Sequence, residues 1–296
     1  MGILLDRIKK KGTLVSDGAW GTFLHEMGLA VGACPEQWNL DRPDDVMKIA
    51  RSYVEAGADL ILTNSFGGHP AKLAAYGLEG QAREINRAAA EISRQAAGDA
   101  VLVLGSMGPS GQMILTGEIT EEAMAEGFRI QAEGLAEGGA DGLLIETMSD
   151  LQEAMLAIRA AKSAASLEVA CTFTFNRTQT GEYRTMMGAG VEEYLQMVKE
   201  EGVDLVGANC GNGTAGMIEI VREIRAIDPE IPVLVHANAG LPVYRDGQTI
   251  FPESPGEMAS QVRELVEAGA NIVGGCCGTT PGHIRMLRQA LKETEE

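Results

Sequence analysis

An α/β barrel of eight strands and eight helices is the fold that the sequence predicts, as a single domain over residues 1–296. Two observations point to it. Short apolar segments alternate with amphipathic segments eight times, and no low-complexity stretch or linker divides the chain. This alternation is typical of the TIM barrel, (β/α)8. A doubly wound open sheet with the same alternation is the alternative architecture.

The strands are predicted at short runs that are apolar on both faces. Such runs are typical of strands that lie between a barrel interior and surrounding helices. In chain order, the predicted strands cover residues 13–17, 59–64, 100–104, 142–146, 169–175, 205–210, 232–236 and 271–276.

The helices are predicted from apolar positions at helical spacing and from start signals. Pro43 favours a first helical turn, Ser149 precedes Gln152 by three residues, and Ser254 with Glu257 forms a capping-box pattern. After a short helix within residues 1–12, the predicted helices cover about residues 43–57, 81–97, 120–137, 151–158, 191–201 and 217–227, with two more from about 255 and 281.

A weak internal repeat accompanies the even-numbered strands. Residues 55–59, 137–141, 201–204 and 267–271 each begin with Glu, contain Gly and end with Asp or Asn. Each copy ends a helix and begins the second, fourth, sixth or eighth strand. This recurrence favours a ring of similar units.

The composition excludes several classes of function. The formal net charge is −18 and the chain has no long basic block, so nucleic acid and anionic membranes are not expected partners. The apolar run at Ile3 is too short for a signal peptide, and no run is long enough for a membrane helix. Five cysteines form no paired secretory framework. We therefore expect a cytoplasmic protein with reduced thiols.

Two adjacent cysteines, Cys276 and Cys277, end the last predicted strand between glycines. A disulfide between neighbours is strained, whereas such a pair is well suited to bind a metal. Cys210 ends the sixth predicted strand in a similar context. Because barrel strands end at one rim and one strand separates these two, the three thiols are expected to converge. The sequence therefore predicts a zinc site with a fourth position open to a substrate thiol.

Other candidate residues have simpler interpretations. Cys34 and Cys171 stand alone, and we expect them to be small buried side chains. His283 lies in the first turn of the last helix, where we expect it to cap the helix or support the site rather than bind metal. The residues that close the predicted strands form one rim: Asp17, Asn64, Ser106, Glu146, Thr174, Cys210, Asn238 and Cys276.

Four motifs together resemble the homocysteine S-methyltransferase family over nearly the whole chain. They are Asp-Gly-Ala-Trp-Gly-Thr at 17–22, Thr-Asn-Ser-Phe-Gly-Gly at 63–68, Gly-Ala-Asn-Cys-Gly at 207–211, and Gly-Gly-Cys-Cys-Gly-Thr-Thr-Pro-Gly-His at 274–283. The last two in combination are specific, whereas Asp-Gly-x-x-Gly-Thr alone is weak. Within the family, the pattern is most similar to the homocysteine-binding module of cobalamin-dependent methionine synthase.

The resemblance implies roles for several residues. Asp17 and Glu146 would hold the ammonium group of homocysteine, and the backbone amides of Ser65, Phe66 and Gly67 would receive its carboxylate. Asn238 would offer an oxygen to zinc when substrate is absent. Family members commonly carry Pro directly before that Asn, where this chain has Ala.

The implied reaction is methylation of homocysteine to methionine, with the substrate thiol activated as a thiolate on zinc held by Cys210, Cys276 and Cys277. Zinc deprotonates a bound thiol, and three protein thiolates keep its sulfur electron-rich. The expected donor is a methylcorrinoid on a separate protein, because the predicted barrel uses the whole chain. Aromatic residues make up 4% of the sequence, which disfavours an aromatic cage for betaine.

Two alternatives stay open at this point. The same chemistry could use S-methylmethionine, betaine, or another methyl donor or thiol. A non-catalytic zinc-binding barrel that docks a partner protein belongs to another class. Asp17 and Glu146 disfavour it, because a scaffold has no need of an amino-acid pocket.

Overall fold

The structure is a computed structural model that describes residues 2–245 and 248–295. Its eight central strands are β1 Leu14–Val15, β2 Leu60–Leu62, β3 Leu102–Met107, β4 Gly142–Met148, β5 Glu168–Phe173, β6 Leu205–Asn209, β7 Val233–Ala237 and β8 Ile272–Gly275. They are parallel and pair in the order β1-β8-β7-β6-β5-β4-β3-β2, and bonds of Asp59 and Asp17 join the remaining seam between β1 and β2. This cyclic order confirms the predicted barrel, so the open-sheet alternative is wrong.

Helices surround the ring. The longer ones are Ile3–Lys11, Pro43–Glu55, Ala82–Ala97, Glu121–Glu137, Leu151–Ala164, Val191–Glu200, Thr214–Ile227 and Pro281–Glu295. Shorter helices are Gly21–Glu26, Trp38–Asp41, Pro70–Leu73, Pro255–Ser260 and Val262–Glu267, with 3₁₀ turns at Ala74–Tyr76 and Glu79–Gln81. Within the described ranges, no helix has the length and apolar character needed to span a membrane.

The connections after the strands contain structure that the sequence did not predict. Two small antiparallel hairpins pair Asn176–Arg177 with Tyr183–Arg184, and Val243–Arg245 with Gln248–Ile250. The third strand lies later than predicted and includes Ser106. The helix after β4 is capped by Asp150 rather than Ser149. The Asp150 carboxylate accepts the backbone amides of Gln152 (2.7 Å) and Glu153 (3.1 Å).

The amino end of the barrel is closed by the first helix. Leu4 and Ile8 pack against the interior leucines of the strands. The Glu168 carboxylate at the start of β5 accepts the amides of Leu4 (2.6 Å) and Leu5 (3.0 Å), which satisfies free donors of the helix N-terminus. The opening of the barrel is therefore at its carboxyl end.

The internal repeat forms four similar clamps between neighbouring strands. In each, an Asp or Asn stands at the start of an even-numbered strand. Its backbone N–H donates to the carbonyl of a valine on the preceding odd-numbered strand, and its side-chain oxygen accepts the backbone N–H of the same valine at 2.8–2.9 Å. The pairs are Asp59 with Val15, Asp141 with Val103, Asp204 with Val169, and Asn271 with Val233. These clamps fix the register of four strand pairs.

The first clamp is important because it lies where the ring is least complete. Between β1 and β2, Asp59 exchanges both bonds with Val15. Further along, the Leu62 amide donates to the Asp17 carboxylate at 2.7 Å. Side-chain carboxylates thus join two strands whose backbones alone do not complete the seam.

Replacing Asp141 by Ala is expected to lower the free energy of unfolding by about 1.5–3 kcal/mol, because the Val103 amide loses a charged acceptor and Arg94 loses its ion-pair partner. Asp141→Asn should cost less, since Asn271 shows that an amide oxygen can serve in the same clamp. Chemical denaturation followed by circular dichroism measures both. Equal losses in the two variants would contradict this account.

Candidate metal and substrate site

Three cysteine side chains converge at the carboxyl end of the barrel. Cys210 follows β6, and Cys276 and Cys277 follow β8. Their sulfur atoms all lie within 4.8 Å of one another, and the Sγ atoms of Cys210 and Cys277 are 4.0 Å apart. Sulfur ligands of a tetrahedral zinc ion are about 3.8 Å apart, because each Zn–S bond is about 2.3 Å long. The thiols are therefore close to the spacing that zinc requires.

The strand between them, β7, holds both sides of the cluster. The Cys210 amide donates to the His236 carbonyl (3.1 Å), and the Cys276 amide donates to the Ala237 carbonyl (2.7 Å). The carbonyl of Cys276 also accepts the Thr279 hydroxyl at 2.7 Å. Both cysteine backbones are thus fixed against one strand.

The backbone of Cys210 has φ 59°, in the left-handed region that residues other than glycine rarely adopt. Such a conformation costs about 1–3 kcal/mol and persists where the surroundings hold it. Thr147, with φ 62°, is the other non-glycine residue in this region among those that the structure describes, and it also lines the cavity. Backbone strain is therefore concentrated at this site.

The three thiols share their protons. Hydrogen bonds from Cys276 and Cys277, with a further one from the Asn238 side chain, hold the pKa of Cys210 far below the usual range of a thiol. The hydrogen bond to Cys210 raises the pKa of Cys276 well above that range. A metal ion binds thiolates, so its binding here would release the protons that these thiols hold.

A cavity of about 290 Å³ opens beside the thiols. Of the residues proposed from the sequence, Ser65, Phe66, Glu146 and all three cysteines line it. Asp17, Gly67 and Asn238 are buried or lie behind its wall and do not line it. The cavity thus joins the thiol cluster to the loop after β2 and to the carboxylate on β4.

Glu146 is a buried carboxylate on the cavity wall, 7% exposed. The Ser106 hydroxyl donates to its Oε1, and the Asn209 amide donates to its Oε2 at 3.4 Å. No lysine or arginine of the described residues pairs with it. Burial, with smaller effects from Asp17 and Cys210, raises the pKa of Glu146 to about 7. A buried carboxylate without a cation is suited to a cationic group of a ligand.

Asp17 has its bonds supplied by the protein itself. Its carboxylate accepts the Leu62 amide (2.7 Å), the Trp20 indole N–H (2.8 Å) and the Ser16 hydroxyl (3.2 Å). Burial raises its pKa to about 6, against the effect of these bonds. The structure therefore places Asp17 behind the cavity, where it joins β1 to β2 and orients Trp20, a residue of the cavity wall.

The loop after β2 contains an interaction that the sequence did not predict. The Gly67 amide donates to the Glu36 carboxylate at 2.6 Å, and Glu36 itself lines the cavity. Glu36 lies between two short helices in the connection after β1, where neither periodicity nor a motif marks it.

Two side chains of the β7 region have buried polar atoms without a hydrogen-bond partner in the described residues: Asn238 Oδ1 and His236 Nε2. His236, which the sequence analysis also missed, lines the cavity. Burial lowers its pKa to about 4, so it is neutral at pH 7. Buried polar atoms without a partner, beside a thiol cluster, fit a site that a bound group completes.

The remaining sequence candidates lie outside the cluster. His283 caps the last helix: its Nδ1 is 3.1 Å from the Thr280 amide nitrogen, and its Nε2 is 3.0 Å from the Glu253 carbonyl oxygen. Cys34 and Cys171 are buried, as expected.

Comparison with known sequences decides the family. A sequence profile described as homocysteine S-methyltransferase matches residues 14–291, which include all eight strands and the three converging cysteines. The chain belongs to the homocysteine S-methyltransferase family. This assignment agrees with the four motifs and with the position of the cavity.

Similar proteins include the methionine synthases of Mycobacterium leprae and Mycobacterium tuberculosis, each 34% identical over 97% of this chain. The chain spans 25% of the length of each of these relatives. Among solved structures, the metallated form of the homocysteine methyltransferase MmuM from Escherichia coli matches with TM-score 0.81 and 23% identity, over 97% of this chain and 99% of that one. At this identity the structural match shows the barrel fold.

Glu146→Gln is expected to stabilise the metal-free and ligand-free protein at pH 8. Because the pKa of folded Glu146 is raised to about 7 from an ordinary 4.5, its contribution to stability is present below pH 4.5 and is lost as the pH rises through 7. Removing the charge should therefore raise the free energy of unfolding by about 2–3 kcal/mol at pH 8 and by little at pH 4. Denaturation of both proteins at the two pH values measures this.

The control is Glu192→Gln, which removes an equal charge from an exposed helix position. A stabilisation by Glu146→Gln that is the same at pH 4 and pH 8 would show that the charge of Glu146 is not its cause.

Proposed function

We propose that this chain is a zinc-dependent methyltransferase that activates homocysteine as a thiolate and methylates it to methionine, with residues 1–296 as the homocysteine-binding barrel. The observation that carries this proposal is the three-thiol cluster beside a cavity that also presents a buried, unpaired carboxylate. Family membership supports homocysteine as the acceptor.

The residues present fit zinc. Thiolates favour zinc over hard cations such as magnesium and calcium, and three protein ligands that leave one position for substrate are typical of catalytic zinc. The unpaired Oδ1 of Asn238 adds an oxygen near the thiols. Bound zinc would supply the positive charge that ionises the substrate thiol at neutral pH.

The side chains of the cavity then have separate tasks. Glu146 holds the substrate ammonium, and Ser106 and Asn209 fix the orientation of its two oxygens. Asp17 adds negative charge behind the wall without leaving its place in the barrel seam. The backbone amides of residues 65–67 are the proposed donors to the substrate carboxylate; in the free protein that of Ser65 donates to the Thr63 carbonyl (2.9 Å) and that of Gly67 to Glu36 (2.6 Å). These contacts would place the thiol of homocysteine towards the cysteines.

The protein is expected to hold about one zinc ion per chain, and Cys210→Ala, Cys276→Ala or Cys277→Ala should each abolish stoichiometric binding, because two thiolates leave the ion incompletely coordinated. Elemental analysis after dialysis measures this. Circular dichroism should show that the barrel stays folded, since the core lies away from the cluster.

Cys171→Ala is the matched control, because it removes a buried thiol that is not part of the cluster. A Cys276→Ala protein that keeps a full complement of zinc would refute the metal site. Calorimetry on the zinc-loaded protein tests the acceptor. If homocysteine gives neither heat nor proton release, the acceptor is wrong.

The methyl donor that we propose is a methylcorrinoid carried on another protein or domain. The most exposed large apolar side chains support a macromolecular partner: Val31, Leu115, Met186 and Tyr244 are 97, 84, 84 and 78% exposed. They lie in the connections after β1, β3, β5 and β7, at the open end of the barrel. We propose that these four side chains, which lie around one opening, act together as the docking surface for the donor. The similar methionine synthases extend well beyond this match, which covers a quarter of their length. Their additional length is consistent with such a partner.

Combining Leu115→Ser, Met186→Ser and Tyr244→Ser is expected to raise KM for a methylated corrinoid protein by about tenfold or more, since apolar contact area is lost. Turnover of free methylcobalamin should not change, because these side chains do not line the cavity. Methionine formation with each donor measures the difference.

Ile227→Ser is the control, because this exposed apolar residue ends a helix at the opposite end of the barrel. Equal loss with both donors would show that the three rim residues act on the fold rather than on docking. Rapid turnover with betaine or S-methylmethionine, and none with either corrinoid, would refute the donor and leave the acceptor chemistry intact.

A further inference from the structure

The charges around the cavity are unbalanced. Glu36 and Glu146 line it together with three thiols, and no lysine or arginine does so within the described part of the chain. Homocysteine carries a carboxylate as well as an ammonium group at neutral pH. This lining attracts the ammonium group and repels the carboxylate, so the carboxylate depends on neutral N–H donors.

Glu36 already occupies one of these donors. Its Oε1 accepts the Gly67 amide at 2.6 Å, and its Oε2 accepts the Cys34 thiol at 3.4 Å. The contact is close, because a Cβ atom on Gly67 would lie 2.8 Å from Glu36 Oε1. A carboxylate on this backbone amide is the arrangement that the substrate carboxylate would adopt.

The position is costly for Glu36. It is 5% exposed, and it forms no ion pair with any residue that the structure describes. A thiol is a weak donor, so the second oxygen of this buried carboxylate is poorly compensated. If a ligand took over the Gly67 amide, this carboxylate would lose its main donor and would need a cation in its place.

Lys72 is the cation available to it. Its ammonium nitrogen lies 4.5 Å from the centre of the Phe66 ring, and it too has no carboxylate in contact among the described residues. Phe66 directly precedes Gly67, so Lys72 lies against the same loop whose amide Glu36 accepts. Burial lowers the pKa of Lys72, and the charges of Glu36 and Glu153 act in the opposite direction.

We infer that Glu36 occupies the carboxylate subsite of the free protein, and that homocysteine displaces it so that Glu36 turns to pair with Lys72. This inference rests on the proposed function. Glu36 is then a specificity-determining residue. When a ligand that carries a carboxylate binds, Glu36 leaves the Gly67 amide and pairs with Lys72. When a thiol without a carboxylate binds, Glu36 stays on the Gly67 amide.

Calorimetry on the zinc-loaded protein tests this with two ligands, homocysteine and 3-aminopropane-1-thiol, which is homocysteine without its carboxylate. Glu36→Gln should tighten homocysteine binding about tenfold, because a neutral amide competes and repels less, and should not tighten the second thiol, which has no carboxylate and loses only the attraction of Glu36 for its ammonium group. Lys72→Met should weaken homocysteine binding about tenfold. That loss should disappear in the Glu36→Gln, Lys72→Met double variant, since Lys72 acts through Glu36.

Glu26→Gln is the control, because it removes an exposed carboxylate from the neighbouring short helix. Unchanged or weaker homocysteine binding in Glu36→Gln would overturn the inference, as would an equal shift for both thiols. A Lys72→Met loss that persists in the double variant would show that Lys72 contacts the substrate directly. If the wild-type protein binds no homocysteine, the proposed function fails; if it does and the variants behave like the control, only the role of Glu36 fails.

Discussion

One strand sets the geometry on which the thiol cluster depends. Successive carbonyls of a strand point to opposite sides, so the carbonyls of His236 and Ala237 on β7 accept the amides of Cys210 and Cys276 from its two neighbours. The distance between the backbones of these cysteines is therefore set by the sheet, because β6 and β8 lie two strand spacings apart. The turns after the strands then bring the sulfur atoms closer together. The carboxylate clamps and the seam at Asp17 keep the ring closed, and closure keeps β6 and β8 in place on either side of β7.

The site combines negative charges in a chain whose formal net charge is already −18. Asp17 and Glu146 are both buried with raised pKa values, and the neighbouring Cys210 has a lowered pKa that favours its thiolate. In the free protein this arrangement is destabilising, and the surrounding barrel must compensate for it. A divalent metal ion and a substrate ammonium group would each remove part of this cost. The same charges would thus contribute to ligand affinity.

The sequence predicted the barrel because its strands are apolar on both faces and recur with regular helices, which is a strong local signal. It predicted the convergence of the thiols because barrel strands end at one rim, and Cys210 and Cys276 directly follow strands. It could not predict that Gly67 donates to Glu36, because that contact joins two loops 31 residues apart and depends on loop conformation. Nor could it distinguish the two acids, because each ends an apolar run in the sequence. In the structure, Asp17 is held between β1 and β2, whereas Glu146 lies within β4 and faces the cavity.

The first helix, which packs across the amino end of the barrel, has a kinetic consequence. Because Leu4 and Ile8 close that end, reactants and products share the opening at the carboxyl end. A macromolecular donor seated over this opening would block the entry of a small acceptor and the departure of its product. Catalysis by such a pair would follow a compulsory order, in which the amino acid binds before the donor docks and leaves after the donor has separated. Under these conditions an excess of donor protein would inhibit turnover by trapping the empty barrel.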